Sequence, residues 1–183
     1  MQEGSGNVGA MNSYDVTGSK STGIIVLLVD FLKGLIPIAL LVYFYDFRLP
    51  YIMLPAVLTV IGHNYSIFLG FKGGRGLATA AGAALLINFW LLVVWCAGFF
   101  ITAAIKRSIH WGNIVATILM PLVVFFFGGF FVKFTLGYEP DANIGYINAL
   151  EELLFVFSSS LSLIILLGHI NPIVELLKKS KSK

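Results

Sequence analysis

Two short glycine-rich stretches carry the residue types that could bind and move an anion. They are Gly4-Ser5-Gly6-Asn7-Val8-Gly9 near the start and Gly70-Phe71-Lys72-Gly73-Gly74-Arg75-Gly76 farther on. Glycine lets backbone N–H groups close around an oxyanion, and nearby cations can neutralise it. Ser5, Asn7 and Asn12 add a hydroxyl and two amides to the first stretch. In the second, Lys72 and Arg75 sit among Gly70, Gly73, Gly74 and Gly76, and Ala78-Thr79-Ala80-Ala81-Gly82-Ala83 then opens a helix. A helix N-terminus behind such cations favours negative charge. A loose polar N-terminus accounts for the first stretch taken alone, and close helix packing accounts for the glycines of the second. The clustered cations tip the reading toward an anion site. Neither a Walker A spacing nor a GxGxxG run is present.

His63 ends one apolar run just ahead of the second loop, and His169 ends the last. A single interfacial histidine usually serves packing, but two on the side of the glycine loops suit phosphate contact or proton transfer. Asp30 and Lys33, spaced i, i+3, read as an ion pair that neutralises itself within a span. No His/Cys/Asp/Glu cluster has metal-ligand spacing and no Gly-x-Ser-x-Gly elbow marks a serine nucleophile, so neither metal nor cofactor is expected.

These groups must be positioned by membrane helices. Hydrophobic residues make up 58% of the 183, charged residues only 11%, and the mean hydropathy is +0.91. Apolar runs cover Gly23–Tyr45, Leu49–Ile61, Leu77–Ile105, Gly112–Val132 and Asn148–Gly168, and most reach the roughly 20 residues that cross a bilayer. No cleavable signal peptide is visible at the polar N-terminus. The lone Cys96 excludes an intrachain disulfide. The expectation is an all-α integral membrane protein with a single domain over residues 1–183, of which 170–183 form a basic tail.

Loop charges set the topology. Basic loops prefer the cytoplasm, and an odd number of spans would put Lys20 and the lysine-rich end on opposite sides. The run from Leu77 to Ile105 is longer than one span needs, and Asn88 interrupts it. Read as two short helices turning near Ile87-Asn88, it gives about six spans, although one long tilted helix is the simpler alternative. Lys20, Lys72, Arg75, Lys106, Arg107, Lys178, Lys179, Lys181 and Lys183 then share the cytoplasmic face, against Arg48 and Lys133 outside. The net charge of +3 follows from those loops and implies no nucleic acid.

Taken in order, three segments resemble the bacterial acyl-phosphate:glycerol-3-phosphate acyltransferases, the PlsY family. They are Gly4-Ser5-Gly6-Asn7-Val8-Gly9-Ala10-Met11-Asn12, then Asp30-Phe31-Leu32-Lys33-Gly34, then Gly62-His63 running to Phe68-Leu69-Gly70-Phe71-Lys72-Gly73-Gly74-Arg75-Gly76-Leu77-Ala78-Thr79. The resemblance covers nearly the whole chain. It implies a seven-span architecture with one site on the cytoplasmic side of a bacterial inner membrane. It also implies transfer of a fatty acyl group from acyl phosphate to the 1-hydroxyl of glycerol 3-phosphate, giving lysophosphatidic acid and phosphate, without acyl-CoA or metal. The family's first span precedes the first motif, so the expectation is six spans here and one missing through a start placed too far downstream. Membrane lipid is the other implied partner, and a monomer is compatible with the reading.

By that resemblance the catalytic residues are Ser5, Asn7, His63, His169 and Arg75, the last standing where the family usually has lysine. Phosphate binding falls to Gly4, Gly6, Gly9, Asn12, Lys72, Gly73, Gly74, Gly76 and Asn171. Acyl phosphate is already an activated mixed anhydride, so positioning and charge stabilisation are the main demands on the protein. Departures gather on the acceptor side: Met11 for a usual Thr, Asp15 for an Arg, His110 for a Ser, and Pro172 where the third motif usually has Asn. They leave open a paralogue with another acceptor. A small anion transporter and a non-catalytic membrane protein are the rival classes.

Overall fold

The structure is a computed structural model that describes residues 4–45 and 49–181, with side chains described over 4–44 and 51–178. Arg48 and Lys183, two of the loop cations named from the sequence, lie outside the described residues. Described secondary structure is helical: α1 (Ala10–Thr17), α2 (Lys20–Tyr45), α3 (Leu49–Asn64), α4 (Leu77–Ile87), α5 (Phe89–Lys106), α6 (Ile109–Phe131), α7 (Ile144–Gly168) and α8 (Ile170–Lys181). Among the described residues, five segments are long and apolar enough to cross a membrane: Lys20–Phe44, Tyr51–Leu69, Phe89–Lys106, Ile109–Phe134 and Ile144–Gly168. The remaining apolar helix, α4, has 11 residues. At 1.5 Å per residue it extends about 16 Å, roughly half a hydrocarbon core.

The long apolar run does divide at Asn88. This residue adopts an extended conformation (φ −161°, ψ 106°), and its Oδ1 accepts a 3.0 Å bond from the Trp90 amide, which caps α5. Its Nδ2 donates to the Phe131 carbonyl and to Thr135 Oγ1, each at 2.7 Å, and the residue is only 1% exposed. One polar side chain therefore both starts a helix and finds every partner it needs in an apolar surrounding.

The chain divides into two compact units, Met1–Leu86 and Ile87–Lys183. In the first, α2 and α4 approach backbone to backbone at two glycines. A Cβ on Gly34 would collide with the Thr79 carbonyl, and one on Gly82 with the Phe31 carbonyl. Such small-residue contacts replace the hydrophobic drive that lipid does not supply. Ile38, Ile52, Ala56, Val60 and Ala83 form the buried core of this unit.

In the second unit α5, α6 and α7 form the bundle. Gly98 packs on Ala116, Trp95 Nε1 donates to Thr117 Oγ1 at 3.1 Å, and Ser162 Oγ donates to the Thr117 carbonyl at 2.8 Å. Val124, Leu154, Phe157 and Leu161 fill the space between. The break in α6 falls at Phe127 (φ −123°, ψ 25°) and not at Pro121. Within the lysine-rich end, 170–181 continue as α8.

Candidate active site

The first glycine stretch is a loop clasped by the helix it precedes. Gly4 and Gly6 take left-handed conformations (φ +63° and +69°), which glycine adopts without strain. Asn12 reaches back from α1, and its Oδ1 accepts bonds from the Ser5 amide (2.7 Å) and the Ser5 hydroxyl (3.0 Å). A Cβ on Gly4 would collide with that same oxygen. The Gly9 carbonyl accepts from the amide and the hydroxyl of Ser13, at 3.0 and 3.1 Å, fixing the start of α1. Asn12, assigned to phosphate from the sequence, thus uses its carbonyl oxygen to shape the loop and aim the Ser5 hydroxyl.

The second stretch folds back onto the end of α3. Past Asn64 the chain makes a 3-10 turn over Ile67–Leu69 and bends at Gly70 and Phe71, both left-handed (φ +60° and +61°). Gly73 N–H then donates to the Asn64 carbonyl at 2.9 Å, and Gly74 N–H donates to the His63 carbonyl at 3.3 Å. These acceptors belong to the last turn of α3, whose carbonyls have no partner within their own helix. A Cβ on Gly73 would collide with the His63 carbonyl, and one on Gly74 with His63 Nε2. The N–H groups of these two glycines hold α3, and their missing side chains let the loop lie directly on the imidazole. Lys72 is exposed, Arg75 half-buried, and α4 starts at Leu77 immediately afterward.

Beneath this loop lies a small charged cluster. Asp30 and Lys33 pair at 3.0 Å, and the same Asp30 Oδ1 stands 3.7 Å from His63 Nδ1. The carboxylate and imidazole are nearly buried, with side chains 8% and 10% exposed, whereas the Lys33 side chain is 56% exposed. All three border a cavity of about 450 Å³. Its lining is of two kinds: apolar Val8, Ile25, Val26, Val29 and Leu69, and polar Asp30, Lys33, Thr59, His63 and Ser66 with the Gly74 backbone.

Of the residues singled out from sequence, His63 and Gly74 reach this cavity, and Val8 brings the first loop to its edge. Ser5, Asn7, Lys72 and Arg75 are not among its lining residues. Thr59 and Ser66 are new. Thr59 precedes His63 by one helical turn and shares its face, a relation the sequence carried, whereas Ser66 depends on the turn after α3. Asp30 and Lys33 form the ion pair read from their spacing, but their place beside His63 requires α2 and α3 to pack together. In the second unit His169 is 1% exposed, with Nδ1 lying 2.8 Å from the Ile165 carbonyl, which makes that nitrogen the protonated donor. Asn171 is exposed on α8, Pro172 is buried, and Asp15 is exposed on α1. Among the described residues, no group of three or more His, Cys, Asp or Glu could hold a metal ion.

A helical integral membrane protein with a carboxylate, an imidazole and a lysine under a cationic glycine loop is the class that this architecture defines. Residues 1–179 match the family model described as glycerol-3-phosphate acyltransferase, and the chain belongs to that family. It is similar to a glycerol-3-phosphate acyltransferase of Endomicrobium trichonymphae, with 32% identity over 98% of this chain and 79% of the relative. It is also 41% identical to glycerol-3-phosphate acyltransferase 2 of Moorella thermoacetica over 69% of this chain and 63% of that protein. Crystal structures of PlsY (YgiH), an integral membrane glycerol 3-phosphate acyltransferase, superpose on 96% and 97% of the chain at 28% identity. The glycerol 3-phosphate form gives a TM-score of 0.75 and the lysophosphatidic acid form 0.76, over 77% and 79% of the PlsY chain.

Proposed function

We propose that this glycerol-3-phosphate acyltransferase takes its acyl group from acyl phosphate, at a site on the cytoplasmic side of a bacterial inner membrane. The observation that carries the reading is the cationic glycine loop seated on His63 beside the Asp30–Lys33 pair, in a chain that matches its family from residue 1 to 179. Forms of PlsY solved with glycerol 3-phosphate and with lysophosphatidic acid support the acceptor and the product.

In this scheme the 1-hydroxyl of glycerol 3-phosphate attacks the carbonyl carbon of acyl phosphate. A new ester bond forms as the bond from that carbon to the phosphate oxygen breaks, and phosphate leaves with the electron pair. The acceptor's own phosphate takes the hydroxyl proton, so no dedicated protein base is required. Lys72 and Arg75 neutralise the donor phosphate, and the first turn of α4 adds its dipole. The Ser5 hydroxyl supplies a directional contact when its proton turns from Asn12 Oδ1 to a phosphate oxygen, and the His63 imidazole forms part of the cavity wall. The apolar cavity residues Ile25, Val26 and Val29 suit a fatty chain entering beside α2.

The test uses purified protein, palmitoyl phosphate and labelled glycerol 3-phosphate, followed for lysophosphatidic acid and phosphate. Both products should form in equal amounts, and Arg75→Ala should abolish both. Phosphate release without acylated glycerol phosphate would point to another acceptor. Unchanged turnover in Arg75→Ala would remove that residue from the donor site.

A further inference from the structure

Asp30 is a buried carboxylate beside a cavity that is to receive anionic substrates, so its charge works against binding unless it serves another purpose. Its surroundings indicate what that purpose is. Lys33 Nζ lies 3.0 Å from Asp30 Oδ1 and balances the charge, while the same oxygen faces His63 Nδ1 at 3.7 Å. That separation is too long for a hydrogen bond but close enough to bias the ring's orientation. The opposite edge of the imidazole, Nε2, abuts Gly74 so closely that no side chain fits there. Gly73 and Gly74 in turn hang from the Asn64 and His63 carbonyls. A continuous path therefore runs from Lys33 through Asp30 and His63 to the backbone of the loop that carries Lys72 and Arg75.

We infer that Asp30 is a positioning residue: it orients the His63 imidazole as the floor on which the glycine loop rests, and so sets where the loop cations stand. Lys33 completes the device by removing the net charge that Asp30 would otherwise present to an anion. The kinetic consequence rests on the acyltransferase reading above, but the structural consequence does not.

The sign of one measurement separates positioning from simple electrostatics. Asp30→Asn removes a negative charge next to the cavity, and charge alone would lower the KM for an anionic substrate. Positioning predicts the reverse, a KM for glycerol 3-phosphate or acyl phosphate raised about tenfold with kcat changed less, the size of one well-placed polar contact. His63→Asn should do the same, and the double variant should be no worse than the worse single one, because both act through one path. In parallel, hydrogen exchange of the 70–76 segment in nanodiscs should quicken in both single variants, while α6 peptides of the second unit stay unchanged. A lowered KM, additive losses in the double variant, or wild-type exchange at 70–76 would each overturn the inference. If the unaltered protein forms no lysophosphatidic acid, the acyltransferase reading fails, and the exchange measurement still decides the role of Asp30.

Discussion

At the scale of single residues, neighbouring glycines in the second loop answer to different constraints. A side chain at Gly73 would meet the His63 carbonyl, which belongs to the backbone of α3 and cannot move without unwinding that turn. A side chain at Gly74 would meet His63 Nε2, the end of a side chain. Both alanine substitutions should destabilise, by about 1–3 kcal/mol as overpacking usually does. They should differ in rescue: adding His63→Ala should restore most of the thermal midpoint of Gly74→Ala in detergent and none of that of Gly73→Ala. Equal rescue of both would mean that the loop does not rest on the imidazole as described. The Lys72–Arg75 cation cluster and the glycine pattern around it were legible in the sequence. The task of Gly73 and Gly74 was not, because it depends on the chain returning to α3 after a turn at Gly70 and Phe71 whose direction no local spacing encodes.

Among the elements, the division of the apolar run from Leu77 to Ile105 was the most legible feature. A lone asparagine amid such residues either breaks a helix or demands partners, and Asn88 does both. Its partners at Phe131 and Thr135 lie more than forty positions away, beyond the reach of any sequence pattern. Asn88→Ala should lose the cap of α5, about 1 kcal/mol, and leave the Phe131 carbonyl without this donor. Asn88→Asp keeps a capping oxygen but sets a carboxylate against that carbonyl. Thermal unfolding in detergent should therefore rank wild type above Asn88→Ala and Asn88→Ala above Asn88→Asp. An aspartate variant as stable as wild type would show that the Nδ2 bonds contribute nothing. In the 170–181 segment the lysines mark a basic tail, while Ile170, Ile173, Val174 and Leu177 keep the spacing of the helix that it forms.

For the whole molecule the open quantity is the number of crossings, and the turn at Ile87-Asn88 decides it. The Ile87 carbonyl accepts from the Leu136 amide at 2.9 Å, and Asn88 bonds Phe131 and Thr135, so this turn lies at the end of α6 that leads into α7. Trp90, Phe130 and Phe134 pack ring against ring at the same end, the kind of aromatic cluster that settles at a membrane interface. From there α5 runs to Lys106 and Arg107 at the other face. If α4 also traverses the bilayer, Lys72 and Lys106 share a side; if α4 and α5 together made one crossing, they would stand on opposite sides. An 11-residue helix is short for the task, yet the carbonyl of its last residue, Ile87, accepts from the Leu136 amide, the kind of partner that a broken span within a membrane requires. Positive charge at both loops favours a shared cytoplasmic side. In a Cys96→Ala background, Lys72→Cys and Lys106→Cys should both resist an impermeant maleimide on intact cells and react after permeabilisation. Asp141→Cys, in the exposed segment between α6 and α7, should react without it. Labelling of Lys72→Cys and Lys106→Cys from opposite sides would rule out the six-crossing topology and separate the glycine loop from the Lys106-Arg107 turn.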